Sequence, residues 1–172
     1  MAKLIRACAW RKLERPYTRK SKFRKKSFVR AVPNNKVVKY EIGNLTKKFA
    51  ITAVLKSKSD IQIRHNAIES ARLTSNRFLE KKLGKIGYHL KVCIYPHHIL
   101  RNNPLASGAG ADRMSTGMKM SFGKSVGLAA RVKKGQKLLQ VSLDTSNKEL
   151  AKVALNRAKY KFPCSCTVEF VE

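Results

Sequence analysis

Histidine and cysteine are the residues of this sequence with the most chemical reach: His65, His89, His97 and His98, and Cys8, Cys93, Cys164 and Cys166. His97 and His98 stand together after Pro96, and with Cys93 close by they could bind a metal or pass protons. That chemistry needs carboxylates. The 10 acids are scattered singly, with none placed beside the histidine pair, so no acid/base set or metal cage forms in sequence. A phosphate contact or simple packing is the reading for both histidines. Cys164-Ser165-Cys166 could donate two metal ligands or form a strained redox pair, but zinc needs two further ligands that do not cluster nearby. No paired CxxC occurs, and the thiols read as reduced.

Phosphate-binding loops are the next possibility. Gly123-Lys124-Ser125 ends like a nucleotide-binding P-loop, yet five residues separate Gly117 from Gly123 where the motif has four. Gly108-Ala109-Gly110 lacks the third glycine of a dinucleotide fingerprint. The expectation is a chain that is not an enzyme and takes no cofactor and no metal.

Charge is the stronger signal. The 172 residues carry 38 Lys and Arg against 10 Asp and Glu, a formal +28, while 43% of residues are apolar. That describes a folded body with a basic surface, whose self-repulsion is relieved when a polyanion neutralises it. No run of about 18 apolar residues, signal peptide or lipidation motif is present, so the reading is a soluble, intracellular chain whose polyanion is nucleic acid and not a membrane.

The elements that must position these residues divide at about residue 36. Residues 1–36 are crowded with Lys and Arg against one acid, Glu14, with Trp10, Tyr17, Phe23 and Phe28 set singly among them and no helical or strand period. Such a stretch buries too little to offset its ordering entropy, so it reads as an extension that orders on a partner, its aromatics stacking on bases. Residues 37–172 read as a single domain. Val38, Tyr40 and Ile42 alternate as a strand, and Phe49 to Leu55 is a second strand expected to pair with it. A helix is predicted from Asn66, with Glu69 completing its cap, to Leu83 before Gly84. Tyr88 to Ile94 is a strand. Val126–Val132 and Leu138–Leu143 are predicted to pair as a hairpin, and a helix from Ser146, capped with Glu149, would bury Leu150, Val153, Ala154 and Ala158. Thr167–Val171 is the last strand. The order predicts an α+β sandwich, two helices on a mixed or antiparallel sheet. Residues from Pro96 to about Lys124 form an unusually long loop, small and flexible at Ser107 to Ala111, then basic and Met-rich, as suits close approach to another molecule's backbone.

The candidate nucleic-acid contacts are therefore Arg6, Trp10, Arg11, Arg15, Tyr17, Arg19, Lys20, Lys22, Arg24, Lys25 and Lys26 in the extension. Around the loop they are His97, His98, Arg101, Lys119 and Lys124.

Arg6-Ala7-Cys8, Arg15-Pro16-Tyr17, Gly87 to Val92, Pro96-His97-His98, Gly110 to Met114, Thr116-Gly117-Met118, Phe122-Gly123-Lys124, Ala130-Arg131-Val132 and Arg157 to Pro163 occur in that order. Together they make the chain resemble, over nearly its whole length, the large-subunit ribosomal protein family called L sixteen in bacteria and L ten e in archaea and eukaryotes. The resemblance is to the archaeal and eukaryotic branch. It implies an α/β-hammerhead fold and a non-enzymatic, ribosome-bound, cytoplasmic constituent, not a homo-oligomer. It also implies contact with large-subunit rRNA, neighbouring ribosomal proteins, the small 5S rRNA, and tRNA in the aminoacyl and peptidyl sites. By position, Leu105 to Met118, with Ser107, Gly108, Gly110, Asp112, Arg113 and Met114, would reach toward the peptidyl-transferase centre. Arg6, Arg15, Tyr17 and Arg19 would anchor the extension. A rival reading is an RNA-modifying enzyme working through His97, His98 and the loop.

Overall fold

The computed structural model describes residues 6–18, 22–27, 29, 31–103 and 123–171, and the elements below are those among them. Strands β1 (Glu41–Gly43), β2 (Ile51–Ser57), β3 (Ile61–Arg64), β4 (His89–Val92), β5 (His98–Asn102), β6 (Lys124–Val132), β7 (Lys137–Leu143) and β8 (Cys166–Val171) accompany helices α1 (His65–Leu83) and α2 (Lys148–Lys159). One sheet runs β1-β4-β7-β2-β8 and a second β3-β6-β5, with all neighbours antiparallel. The expected α+β class is what forms. No described helix is long and apolar enough to cross a membrane.

Adjacent residues Leu138 and Leu139 in β7, and Val54 and Leu55 in β2, are all essentially inaccessible. Neighbours on a strand point to opposite faces, so the middle of the larger sheet is covered on both sides. Apolar side chains of both helices join one core with β2, β7 and the β3–β6 pair of the second sheet. Helix α2 buries Ala151, Ala154, Leu155 and Ala158, which recur at helical spacing. The small alanines let α1 approach closely enough for Ser75 Oγ to donate to the Ala154 carbonyl at 3.3 Å.

Several expectations give way to the tertiary arrangement. The run from Val126 and that from Leu138 do not form a hairpin: both edges of β6 are taken by β3 and β5, and both edges of β7 by β2 and β4. The turn between them carries the chain from one sheet to the other, with Gly135 at φ +80° and its N–H donating to the Ser57 carbonyl at 2.8 Å. Nor does β2 pair with the strand before it. Strand β1 is short and pairs with β4, where Gly43, at φ +98°, lies so close to Tyr88 that a Cβ would stand 2.1 Å from its carbonyl oxygen. Val38, expected on a half-buried strand, is exposed. Helix α1 starts one residue early and without a side-chain cap; Glu69 holds Arg72 instead and accepts the Val38 N–H at 3.4 Å. Helix α2 begins at Lys148 after a short turn, without a cap from Ser146, and its rotation leaves Val153 exposed. Gly84 ends α1 as expected.

Two strands hid in stretches read as connections. β3 is four residues long, and β5 occupies the beginning of the expected loop. Together with β6 they make the sheet on which the extension lies. The Trp10 indole packs with Leu100 and Ala129, and Val29 with Ile99, Leu128 and Tyr17. The backbone is tied down too: Gln62 donates its side-chain amide to the Trp10 carbonyl and its N–H to the Arg11 carbonyl, each at 3.0 Å. Trp10 and Tyr17 thus find apolar partners at the second sheet, which supplies burial the extension lacks by itself.

Removing such an anchor leaves a cavity and frees the chain. Trp10→Ala should lower unfolding free energy by about 3 kcal/mol and open Arg6, Arg11 and Lys12 to trypsin. Thermal denaturation and limited proteolysis check this; an unaltered cleavage pattern at native stability would show that the indole is no anchor.

Candidate nucleic-acid interface

Basic residues of the extension stand outward because their aromatic and aliphatic neighbours face the second sheet. Arg6, Arg11, Arg15, Lys22, Lys25 and Lys26 are exposed, and Lys26 Nζ lies 5.2 Å from the centre of the exposed Phe23 ring. Arg24 belongs to the short turn Arg24–Lys26. Arg19 and Lys20 lie outside the described residues, as do Ser107, Gly108, Gly110, Asp112, Arg113, Met114 and Lys119 of the long loop.

The stem of that loop is well defined. The chain leaves β5 and enters β6 at adjacent positions, with Asn102 opposite Lys124 and Arg101 opposite Ser125. A Cβ on Gly123 would come within 2.9 Å of the Asn102 backbone, so the glycine of Phe122-Gly123-Lys124 serves this close crossing. The ladder's open end carries the exposed Lys124 and the half-buried Arg101. The Arg101 guanidinium carbon lies over the Tyr17 ring, 3.6 Å from its centre, joining extension and stem through a cation–π contact.

Two candidates need correcting. Trp10 is 4% exposed, so its ring stacks on protein and is closed to a base; the buried side of the second sheet claims it. His98 is 3% exposed and cannot reach a phosphate at the surface. Burial, reinforced by Arg131 and Arg101, pushes its pKa below the usual value and keeps it neutral. His65 is depressed in the same way, by burial and then by Lys36 and Arg64.

His97 is different. It is exposed and sits 4.5 Å from the Tyr95 ring, which is half exposed and stacks 5.3 Å from Tyr40 at an interplanar angle of 25°. Asn35 fixes Tyr40 by donating to its hydroxyl at 2.6 Å. This row of rings borders a cleft of about 410 Å³ lined by Pro16, Thr18, Ile94, His97, His98 and the exposed Arg131. Rings beside a guanidinium are a surface on which a base can stack while its phosphate is neutralised. Tyr40, Tyr95 and Arg131 were missed as candidates. Tyr40 and Tyr95 lie 55 residues apart by numbering, and only the β1–β4 region brings them together.

The remaining reactive group is the thiol pair. Cys164 and Cys166 sulfurs are 3.6 Å apart, and Ser57 Oγ lies 3.7 Å from Cys164. A hydrogen bond from Cys166 brings the Cys164 thiol down to about 7, and the same contact together with burial pushes Cys166 up. Among the described residues no group of three or more metal-binding side chains accompanies them.

Comparison with known proteins adds a separate line of observation. A family model described as ribosomal protein L16p/L10e matches residues 16–169. The protein named large ribosomal subunit protein uL16 from Methanococcus aeolicus is 48% identical over 160 residues, covering 92% of this chain and 89% of that relative. Those of the same name from Methanococcus maripaludis strain S2 and Archaeoglobus fulgidus are 47% identical over 163 residues and 44% over 154, covering 94% and 90% of this chain and 91% and 85% of the relatives.

The buried histidines set a pH dependence with a definite sign. Folding favours their neutral form, so their contribution is complete above the ordinary value of 6.5 and is lost as pH falls from there toward their depressed values. Melting temperature should therefore drop between pH 7 and pH 5, and His98→Leu should flatten part of that drop. Parallel melting curves for His98→Leu and the parent would contradict the assignment.

Proposed function

Because the chain belongs to the ribosomal protein L16p/L10e family, we propose that the cationic face made by the extension, the second sheet and the loop stem docks on large-subunit rRNA. Membership makes the chain a structural, non-enzymatic constituent of the large ribosomal subunit, working among rRNA and other ribosomal proteins. The observation that carries the docking reading is charge: 38 Lys and Arg exceed 10 acids by a formal +28, more than any internal pairing can neutralise. Lys and Arg position the body on phosphates and release counterions, while exposed rings fit unpaired bases.

The finer reading concerns the loop. Its stem brings residues 103 and 123 side by side, so the segment between them begins and ends at one place. Its glycines and small residues suit close approach to RNA backbone, and Arg113 provides charge within it. On this reading Leu105 to Met118, with Ser107, Gly108, Gly110, Asp112, Arg113 and Met114, reaches toward the peptidyl-transferase centre and helps shape the aminoacyl-tRNA site. The partners are tRNA in the aminoacyl and peptidyl sites and, beside the body, neighbouring proteins and the small 5S rRNA. The chain is cytoplasmic, ribosome-bound, and joins the subunit late. The enzyme reading loses support, because His98 is buried and, among the described residues, no carboxylate lines the cleft it shares with His97.

Two measurements test the proposal. If on the order of 10 phosphates are neutralised, affinity for RNA falls by several powers of ten over a modest rise in salt. In a salt-resolved gradient the chain should sediment one to one with the large subunit and strip at high salt; free migration at every salt concentration would refute docking. Gly108→Val with Gly110→Val should slow translation or subunit maturation while leaving the melting temperature near its parent value. Normal translation with a lowered melting temperature would assign those glycines to folding instead.

A further inference from the structure

A second cleft, of about 310 Å³, opens at the β3 edge of the second sheet, away from the aromatic row. Its walls are the extension at Arg11, strand β3 at Gln62 and Arg64, the first turn of α1 at Asn66, and the segment at Lys161 and Phe162. Among the described residues no carboxylate lines it. Three cations around one small opening, beside the start of a 19-residue helix whose first turn has no side-chain cap, attract an anion of phosphate size.

The cleft also asks for hydrogen-bond donors. Gln62 is 1% exposed; its amide N–H is given to the Trp10 carbonyl, and its Oε1 is buried with no partner among the described residues. Asn66 Oδ1 on the same wall is in the same state. Two buried carbonyl oxygens without donors are costly unless the partner molecule satisfies them. A ligand that brings both a phosphate and a neutral hydroxyl donor one bond system away from it is a ribonucleotide. The gain from the 2′-hydroxyl is one that DNA cannot supply.

We infer that this cleft is a subsite for a single nucleotide of RNA, with phosphate held by Arg11, Arg64 and Lys161 and the one hydrogen of the ribose 2′-hydroxyl shared between the Gln62 and Asn66 side-chain oxygens in a three-centre bond. The inference rests on the reading that the chain binds rRNA and adds where, and by what chemistry, it distinguishes RNA from DNA. It also gives Gln62 a second task, since the same amide that fixes the extension presents the acceptor.

The test is binding of the full chain to fluorescent oligouridylate and to the matching oligodeoxyuridylate, at an ionic strength where both remain measurable. The parent should favour the ribose probe by roughly fivefold, the worth of one net hydrogen bond. Gln62→Met and Asn66→Leu should bring the ratio close to one with the salt dependence unchanged. Lys161→Gln should weaken both probes alike and reduce the salt slope by about one. Should Gln62→Met disturb the extension through loss of the Trp10 contact, Asn66→Leu decides. A parent that binds both probes equally, or variants that keep its ratio, would overturn the subsite while leaving rRNA docking intact. A chain that binds neither probe and fails to sediment with the large subunit would overturn the docking itself.

Discussion

Mutual repulsion of cations is the constraint around which this body is built. With 10 acids to set against 38 Lys and Arg, electrostatics works against compactness, and the apolar core has to carry the fold. Among the described residues, four of the acids join segments distant in the chain. Asp144 meets Lys47, Glu169 meets Lys56 across the β2–β8 pair, and Glu41 meets Lys91 across β1–β4. Asp60 accepts the Lys134 N–H at the turn between the two sheets. Exposed pairs of this kind add little each. The Glu69–Arg72 pair is more enclosed, and hydrogen bonding to Arg72 holds the Glu69 carboxyl below its usual pKa. Through the Val38 N–H it also fastens the segment just after the extension to α1.

The apolar core and the basic surface are therefore divided between two sheets. The five-stranded sheet and its helices supply most of the burial. The three-stranded sheet has small satellite clusters, completed by Trp10 and Val29 from the extension. Both clefts and the loop stem lie on this smaller sheet, where the extension's cations gather. The proposed recognition surface thus lies on the part of the molecule that has less core of its own, supported by one that has more.

What the sequence revealed follows the same division. The residues from Leu138 in β7, the α1 stripe ending at Gly84 and the closing strand were legible because burial on long elements leaves a period. The pairing was not. Whether Val126–Val132 joins the strand that follows it depends on which edges are already occupied, and short strands such as Ile61–Arg64 and His98–Asn102 leave almost no local trace. Charge and aromatic content announced a nucleic-acid surface but not which rings face outward. Trp10 and Tyr95 look equally available in sequence; one is sealed by Leu100 and Ala129, the other is half exposed. Gln62 carried no signal, because an orphaned carbonyl exists only once the chain is folded around it.

The way the long loop is mounted has a mechanical consequence. Asn102 and Lys124 face one another on the last rung of the β5–β6 ladder, so a force drawing both loop ends outward loads the two strands in the same direction and leaves the bonds between them unstrained. The load passes instead to the β3–β6 rungs from Ile61–Val132 to Arg64–Ala129, which tie the pair to the third strand. Those rungs are strained together in shear and not opened one at a time, so the mount is stiff along the strand direction.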